Sequence, residues 1–151
     1  MDGNILASSH SNEVLIWDRR VSRRSFGQLG SCSHFLKKGS LPIQRIRAHG
    51  AKIYGIDWAH DRRNEIVTCS LDKTIKIWDT QTALPTTVIN TTYPVWRARD
   101  LPFGQGVLSL PQRGETALEM YAHEDPTSPI EKFVGHDDVV KEFVWRRGGE
   151  G

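Results

Sequence analysis

The chain has 151 residues, 20 Lys and Arg against 18 Asp and Glu, a net charge of +2 and 38% hydrophobic residues. That balance leaves out a highly charged disordered chain, and no apolar run approaches the roughly 20 residues of a membrane-spanning helix. Two cysteines, Cys32 and Cys69, lack the spacing of a zinc site or a disulfide framework and point to a reducing compartment. No signal peptide is visible.

Taken in chain order, short alternating runs bounded by turn residues predict strands throughout, and no segment has a helical period. Residues 4–9 and 13–18 predict the first two strands, and 42–47 a third. Strands near 53–59, 65–70, 74–79 and 85–90 follow, then 94–100, 106–111, 117–122 and 129–134, and a last one near 139–145. Turn signals lie between them at Asp61-Arg62-Arg63-Asn64, Leu71-Asp72-Lys73, Gly104-Gln105-Gly106 and Asp125-Pro126.

The segment between Asp18 and Leu41 breaks the alternation. It is rich in Gly and Ser, carries Arg19, Arg20, Arg23, Arg24, Lys37 and Lys38, and reads as a flexible basic loop. A sharper reading is contact with anionic lipid or nucleic acid. Against it, Phe26 and Phe35 are the only interleaved aromatics and no nucleic-acid fold accompanies them. Charge is uneven: residues 1–50 carry eight basic and three acidic residues, and residues 101–151 five and nine. Such asymmetry marks a contact surface or solvated loops.

Landmarks recur. His49 and His136 are 87 residues apart, each followed nine residues later by a tryptophan, Trp58 and Trp145. Trp78 stands next to last in IKIWD, and Tyr121 ends ALEMY 43 residues on. Trp17 in VLIWD stands 61 residues before Trp78, 18 more than the 43-residue period. The surplus marks an insertion, or an untranslated segment read into the gene model; sequencing the transcript decides between them. Within residues 48–79, His49, Thr68, Asp72 and Trp78 suit one hydrogen-bond chain. A turn Asp accepts from an imidazole, the imidazole bonds a Thr hydroxyl, and the hydroxyl accepts from an indole N–H. The same counting in the first repeat reaches Ser11 and Ala7, and in the third Glu115, Pro111 and Thr92. Those repeats are therefore expected to hold together by apolar burial.

This pattern resembles a WD40 repeat, the four-stranded blade of a β-propeller. The expectation is an all-β WD40 β-propeller fragment of about three blades, too few to close a ring. Residues 1–18 form a partial blade, 19–41 the basic insertion and 42–48 the strand closing the first blade. Residues 49–91 make the second blade, 92–135 a degenerate third, and 136–151 the start of a fourth.

Nucleophile, metal and phosphate motifs are missing: no HExxH, paired CxxC, P-loop or GxSxG. Ser31-Cys32-Ser33-His34 lies in the insertion, where nothing holds geometry. His60-Asp61 reads as a solvated turn. His123-Glu124-Asp125 reads as a polar turn before Pro126 in preference to a metal cluster. No cofactor or metal is expected, nor an enzyme.

The third repeat narrows the resemblance. Pro94-Val95-Trp96-Arg97-Ala98-Arg99, Pro102-Phe103 and Phe133-Val134-Gly135-His136-Asp137-Asp138-Val139-Val140, with ILASSH and VLIWDRR upstream, resemble the N-terminal propeller of the WD-repeat subunit of the yeast SEA and animal GATOR complexes. The resemblance implies a non-enzymatic scaffold whose partners are the protein subunits of that complex, other propellers included. It implies a role in amino-acid signalling to the TOR complex, with an indirect link to Rag GTPases. It also implies a cytoplasmic location, at the vacuolar or lysosomal membrane surface only through the complex. The family's RWD-type domain and RING-like zinc region are not in this sequence, so their properties do not carry over. The alternative is a WD40 adaptor of another pathway, in ubiquitin-ligase substrate recognition or chromatin reading. Arg97, Arg99, Asp137 and Asp138 are the candidate partner contacts; the plainer reading of each is a solvated edge or the polar face of a strand.

Overall fold

A computed structural model describes residues 3–20, 41–112 and 114–145. Its eleven strands are β1 (Ile5–His10), β2 (Glu13–Asp18), β3 (Gln44–Arg47), β4 (Ile53–Trp58), β5 (Glu65–Ser70), β6 (Thr74–Asp79), β7 (Leu84–Asn90), β8 (Val95–Asp100), β9 (Gly106–Pro111), β10 (Leu118–Ala122) and β11 (Glu131–Phe133). They form three antiparallel sheets ordered β1-β2-β3, β4-β5-β6-β7 and β8-β9-β10-β11. Among the described residues there is no helix, hence none long and apolar enough to cross a membrane. The three sheets do not close on themselves.

The sheets stack face to face, and the burial pattern of each strand follows from that. Val14, Ile16, Ile46, Ile53, Ile66 and Trp78 fill the space between the first and second sheets. Val67, Ile75, Ile77, Ile89, Val95, Val107 and Tyr121 fill the next. A strand inside such a stack has apolar neighbours on both faces, so the alternation expected of a half-exposed strand gives way to continuous burial. β9 is buried at all six positions and β5 at five of six.

The edge strands β4 and β8 of the second and third sheets approach closely and share one irregularity. Each bulges near its start, between Ile53 and Gly55 and between Val95 and Arg97, with Tyr54 and Trp96 as the extra residues. A bulge re-aims a side chain, and here the two rings meet with centroids 4.8 Å apart, tilted 33°. Gly55 is required by this approach. A Cβ there would lie 2.6 Å from Cys69 Sγ and 3.4 Å from both Ala98 N and Arg97 Cα. A third bulge in β7 falls beside Pro85, which has no N–H to give the ladder.

One expected element is absent. Residues 139–145 form no strand, because a strand needs a hydrogen-bonded neighbour and no described strand pairs with this segment. Its apolar residues are used all the same: Val140, Phe143 and Trp145 cover Leu101, Leu108, Leu110, Leu118 and Met120 on the far face of the third sheet. The basic insertion lies almost wholly outside the described residues, Cys32 and the Ser31–His34 run with it; at its start Arg20 pairs with Asp18 at 2.8 Å.

Gly55→Ala is expected to destabilise the chain by about 1–3 kcal/mol, the usual cost of overfilling a packed interior. Adding Cys69→Ala, which removes the nearest atom, is expected to recover part of that loss. Urea unfolding of the single and double variants checks both.

Candidate functional site

The polar centre of the second sheet begins in the loop before β4. His49 is 4% exposed and Thr68 and Ser70 are fully buried, so each needs an internal partner. His49 Nε2 lies 2.7 Å from Thr68 Oγ1, and Trp78 Nε1 donates to the same oxygen at 2.9 Å. On the other side of the ring, Nδ1 lies 3.0 Å from Asp72 Oδ2. One tautomer satisfies every atom: Nδ1–H donates to Asp72, Nε2 accepts from the Thr68 hydroxyl, and that oxygen accepts from the indole. Asp72 is held in turn by Thr74 Oγ1 at 2.6 Å and by the amides of Thr74 and Gly50, both at 3.0 Å. Residues from a loop, two strands and a turn are thus tied at one point.

The electrostatics agree with a neutral imidazole. Burial lowers the His49 pKa below its ordinary 6.5, only partly opposed by Asp72. Burial also works against the Asp72 carboxylate, but Thr74, His49 and the Gly50 amide outweigh it and its pKa is lowered. Both shifts act in the same direction on stability. The unfolded chain takes up a proton on histidine near pH 6.5 that folded His49 resists, and at lower pH it takes up one on aspartate that folded Asp72 resists. Stability from this centre is therefore full above pH 6.5 and declines on acidification through the carboxylate range.

The first and third sheets each have a polar centre at the equivalent register position, and counting along the sequence misses both. In the second sheet Thr68 stands two residues beyond Ile66, the cross-strand partner of Trp78. In the first, Trp17 pairs with Leu6, and two residues on is Ser8, not Ala7. Trp17 Nε1 donates to Ser8 Oγ at 2.9 Å. The first hairpin is one residue tighter, so a fixed count overshoots.

In the third sheet Tyr121 pairs with Val107, which puts Ser109 at the node instead of Pro111. Tyr93, next to the expected Thr92, brings its hydroxyl to 2.6 Å from Ser109 Oγ. Tyr93 and Tyr121 both donate to Glu119 Oε2, at 2.9 and 2.5 Å, and Lys132 Nζ meets Oε1 at 2.6 Å. Burial raises both phenol pKa values, and although it opposes the carboxylate, Lys132 and the two phenols outweigh it and lower the pKa of Glu119. This sheet is not held by apolar burial alone. Tyr–Ser–Glu–Tyr replaces His–Thr–Asp–Trp around the same point.

The other landmarks vary in use. Trp58 packs half-buried on the core between the first two sheets. The Trp145 ring meets Phe103 edge-on at 5.0 Å, while its Nε1 is buried without a partner. His136 is exposed, unlike His49. Of the candidate contacts, Arg97 and Arg99 are engaged within the chain, their guanidinium groups 2.6 and 3.4 Å from the Glu142 carboxylate. Asp137 and Asp138 are exposed.

His60 lies exposed at its turn, whereas His123, read as part of a polar turn, has a buried side chain. His60 N donates to Asp100 Oδ2 at 2.7 Å, and the His123 side chain is only 6% exposed. No sequence signal announces them, because their partners are some 40 to 60 residues away. Among the described residues no group of three or more His, Cys, Asp or Glu is placed to hold a metal ion. Cys69 is fully buried, and burial pushes its thiol up to about 12, far from the range of a reactive thiolate.

Removing one member of a satisfied centre leaves buried partners unpaired, at about 1–3 kcal/mol for each. Asp72→Ala is therefore expected to lower stability by at least that amount at pH 7.5, with a smaller deficit near pH 3, below the 3.8 of a free aspartate, where the wild-type carboxylate begins to be protonated. Glu119→Ala is expected to cost a similar amount through Tyr93 and Tyr121. Denaturant midpoints at the two pH values check both.

Comparison with known proteins agrees with this geometry. Residues 40–79 match the family described as WD domain, G-beta repeat (WD40), the segment that carries the His49–Thr68–Asp72–Trp78 centre. The GATOR2 complex protein Wdr59 of Drosophila melanogaster is 36% identical over 155 residues, covering 99% of this chain and 14% of its own length. The human GATOR2 complex protein WDR59 is 36% identical over 154 residues, with the same two coverages. The chain thus spans about 14% of each of these relatives. Among solved structures, the Cps50 (Swd1) β-propeller domain of Myceliophteria thermophila superposes with a TM-score of 0.60 at 17% identity, over 87% of this chain and 35% of that one. The chain carries a WD40 repeat domain in an unclosed stack of propeller-like sheets, and over nearly its whole length it is homologous to GATOR2 Wdr59 and related WD-repeat proteins.

Proposed function

We propose that the chain is a non-enzymatic scaffold, part of a propeller subunit in a GATOR-type complex that relays amino-acid status to the TOR complex. The observation that carries this reading is the similarity to GATOR2 complex proteins along 99% of the chain, degenerate third repeat included. The geometry supports it in a second way. The buried polar centres at His49 and Glu119 are closed on their own neighbours and serve to tie strands together. In this reading residues 49–91 and 92–135 are blades, 1–18 with 42–48 belong to a third, and 136–151 begin another.

A rigid stack leaves its loops and strand ends to meet partners. The half-exposed Tyr54 and Trp96, with Lys52 Nζ 5.4 Å from the Tyr54 ring, form an aromatic platform at the start of β4 and β8. Aromatic residues of this kind are the usual anchors of protein interfaces. Asp137 and Asp138 offer a separate acidic contact. Arg97 and Arg99 are reassigned to holding Glu142. Regulation of Rag GTPases, and residence at the vacuolar or lysosomal surface, would both follow from the assembled complex and not from a contact of this chain with lipid.

Affinity capture of the tagged protein from its own cells is the test. Recovery of the other GATOR-type subunits is expected, reduced at least fivefold by Trp96→Ala with folding retained by circular dichroism. Recovery of a cullin ligase or of histones in their place would move the chain to the adaptor reading.

A further inference from the structure

At the far end of β4 and β8 from that aromatic pair, the second and third sheets meet through a cluster of charged and titratable side chains. Arg62, from the β4–β5 turn, donates through Nη2 to Gln105 Oε1 at 2.6 Å and contacts His123 Nδ1 at 2.8 Å. Its Nη1 donates to Glu65 Oε2 at 2.9 Å. From the third sheet, Asp100 accepts through Oδ2 from the His60 amide at 2.7 Å and lies 3.2 Å from His60 Nδ1. Asp100 Oδ1 is 3.9 Å from His123 Nε2, which is buried with no hydrogen-bond partner. The Asp100 amide donates to Asp57 Oδ2 at 3.3 Å. The Arg62–Gln105, Arg62–His123, His60–Asp100 and Asp100–Asp57 links cross from one sheet to the other, whereas Arg62–Glu65 stays within the second and Asp100–His123 within the third.

We propose that His123 makes this joint proton-sensitive: protonation of its imidazole ejects Arg62 and loosens the second sheet from the third at this end. The argument starts from donors and acceptors. Arginine is always a donor, so Nδ1 of His123 must be the unprotonated nitrogen, and the hydrogen sits on Nε2 facing Asp100. Adding a proton to Nδ1 turns the contact into donor against donor, with two cations 2.8 Å apart at a part-buried contact. Nothing in that geometry is tolerable for both groups. Arg62 retains Glu65 as an alternative anchor on its own sheet, whereas the protonated imidazole is drawn toward Asp100.

The groups facing His123 divide into two sets. Arg62 opposes its protonation; Glu65 and Asp100 favour it. His60 is a second imidazole on the same carboxylate, and Asp57 stands behind it with a pKa raised by burial. The outcome is that burial, then Arg62, lowers the His123 pKa below 6.5 despite the two carboxylates. The sign follows directly. The joint is intact above pH 6.5, and below it the opened form takes up a proton that the closed form resists. A single such proton multiplies the opening constant by at most about tenfold per pH unit.

Hydrogen exchange of the full chain between pH 7.5 and 5.0, corrected for intrinsic exchange chemistry, reads the joint at residues 59–65 and 100–106. Faster exchange there is expected as pH falls below 6.5, by up to about tenfold per unit, with the His123 imidazole titrating below 6.5 by NMR. His123→Gln, whose amide oxygen still accepts from Arg62, is expected to abolish that dependence. Should this variant not fold, Arg62→Met is the second arm. It removes the opposing cation, so His123 is expected to titrate at a higher pH and without the accompanying opening. Exchange that is independent of pH in the wild type would overturn the proposal. So would an unchanged dependence in His123→Gln, which would assign the effect to His60 or the carboxylates, or an unmoved His123 titration in Arg62→Met.

Discussion

A β-sheet with two apolar faces is stable only between two other layers, and that requirement organises this chain. Covering both faces of the second sheet with its neighbours takes β5 and its polar residue Thr68 out of water altogether. A hydroxyl placed there is a liability unless both its hydrogen and its lone pairs are used. The sequence meets the requirement with an imidazole on one side, an indole on the other and a carboxylate behind the imidazole. In exchange for desolvating four polar groups, the fold gains a fixed distance between the loop entering the blade and its two central strands.

The three sheets answer that demand with different chemistry around one geometrical point, the residue two beyond the cross-strand partner of the aromatic. It is Ser8 under Trp17, Thr68 under Trp78 and Ser109 under Tyr121. A small hydroxyl is common to all three, while the groups around it vary. The third sheet replaces a neutral imidazole by a phenol and moves the negative charge onto the strand itself, where Glu119 is compensated by Lys132. Acidification therefore bears on the polar centre of the second sheet from pH 6.5 downward, whereas that of the third is untouched until the carboxylate range. Rigid sheets of this kind give a partner a fixed set of loop ends, which is what a scaffold requires.

Much of this was legible in the sequence. Strand positions followed from alternation and turn residues to within about two residues, because the hydrophobic period is a property of each strand alone. The second sheet's polar centre was legible because a His, a Thr, an Asp and a Trp together have few other uses. What escaped was whatever depends on register across a hairpin. Ser8 and Ser109 are displaced from a fixed count because the three hairpins differ in length, and a serine carries no mark of burial. Long-range pairs escaped for the same reason: nothing local to His123 tells of Arg62, and nothing near Arg97 tells of Glu142. The strand expected at 139–145 had the right alternation, but a strand is a property of two chains and the partner is not in the described stack.

The most direct measurement is a double-mutant cycle between His49 and Trp78, run in the wild type and again with Thr68→Val. The two side chains share the Thr68 hydroxyl as their common hydrogen-bond partner. Conversion of His49 to Leu and Trp78 to Phe is expected to show a coupling of about 0.5–3 kcal/mol, the range for members of one network. That coupling should vanish once the hydroxyl is gone. Additive effects within about 0.3 kcal/mol in the wild type, or a coupling that persists with valine at position 68, would contradict the account.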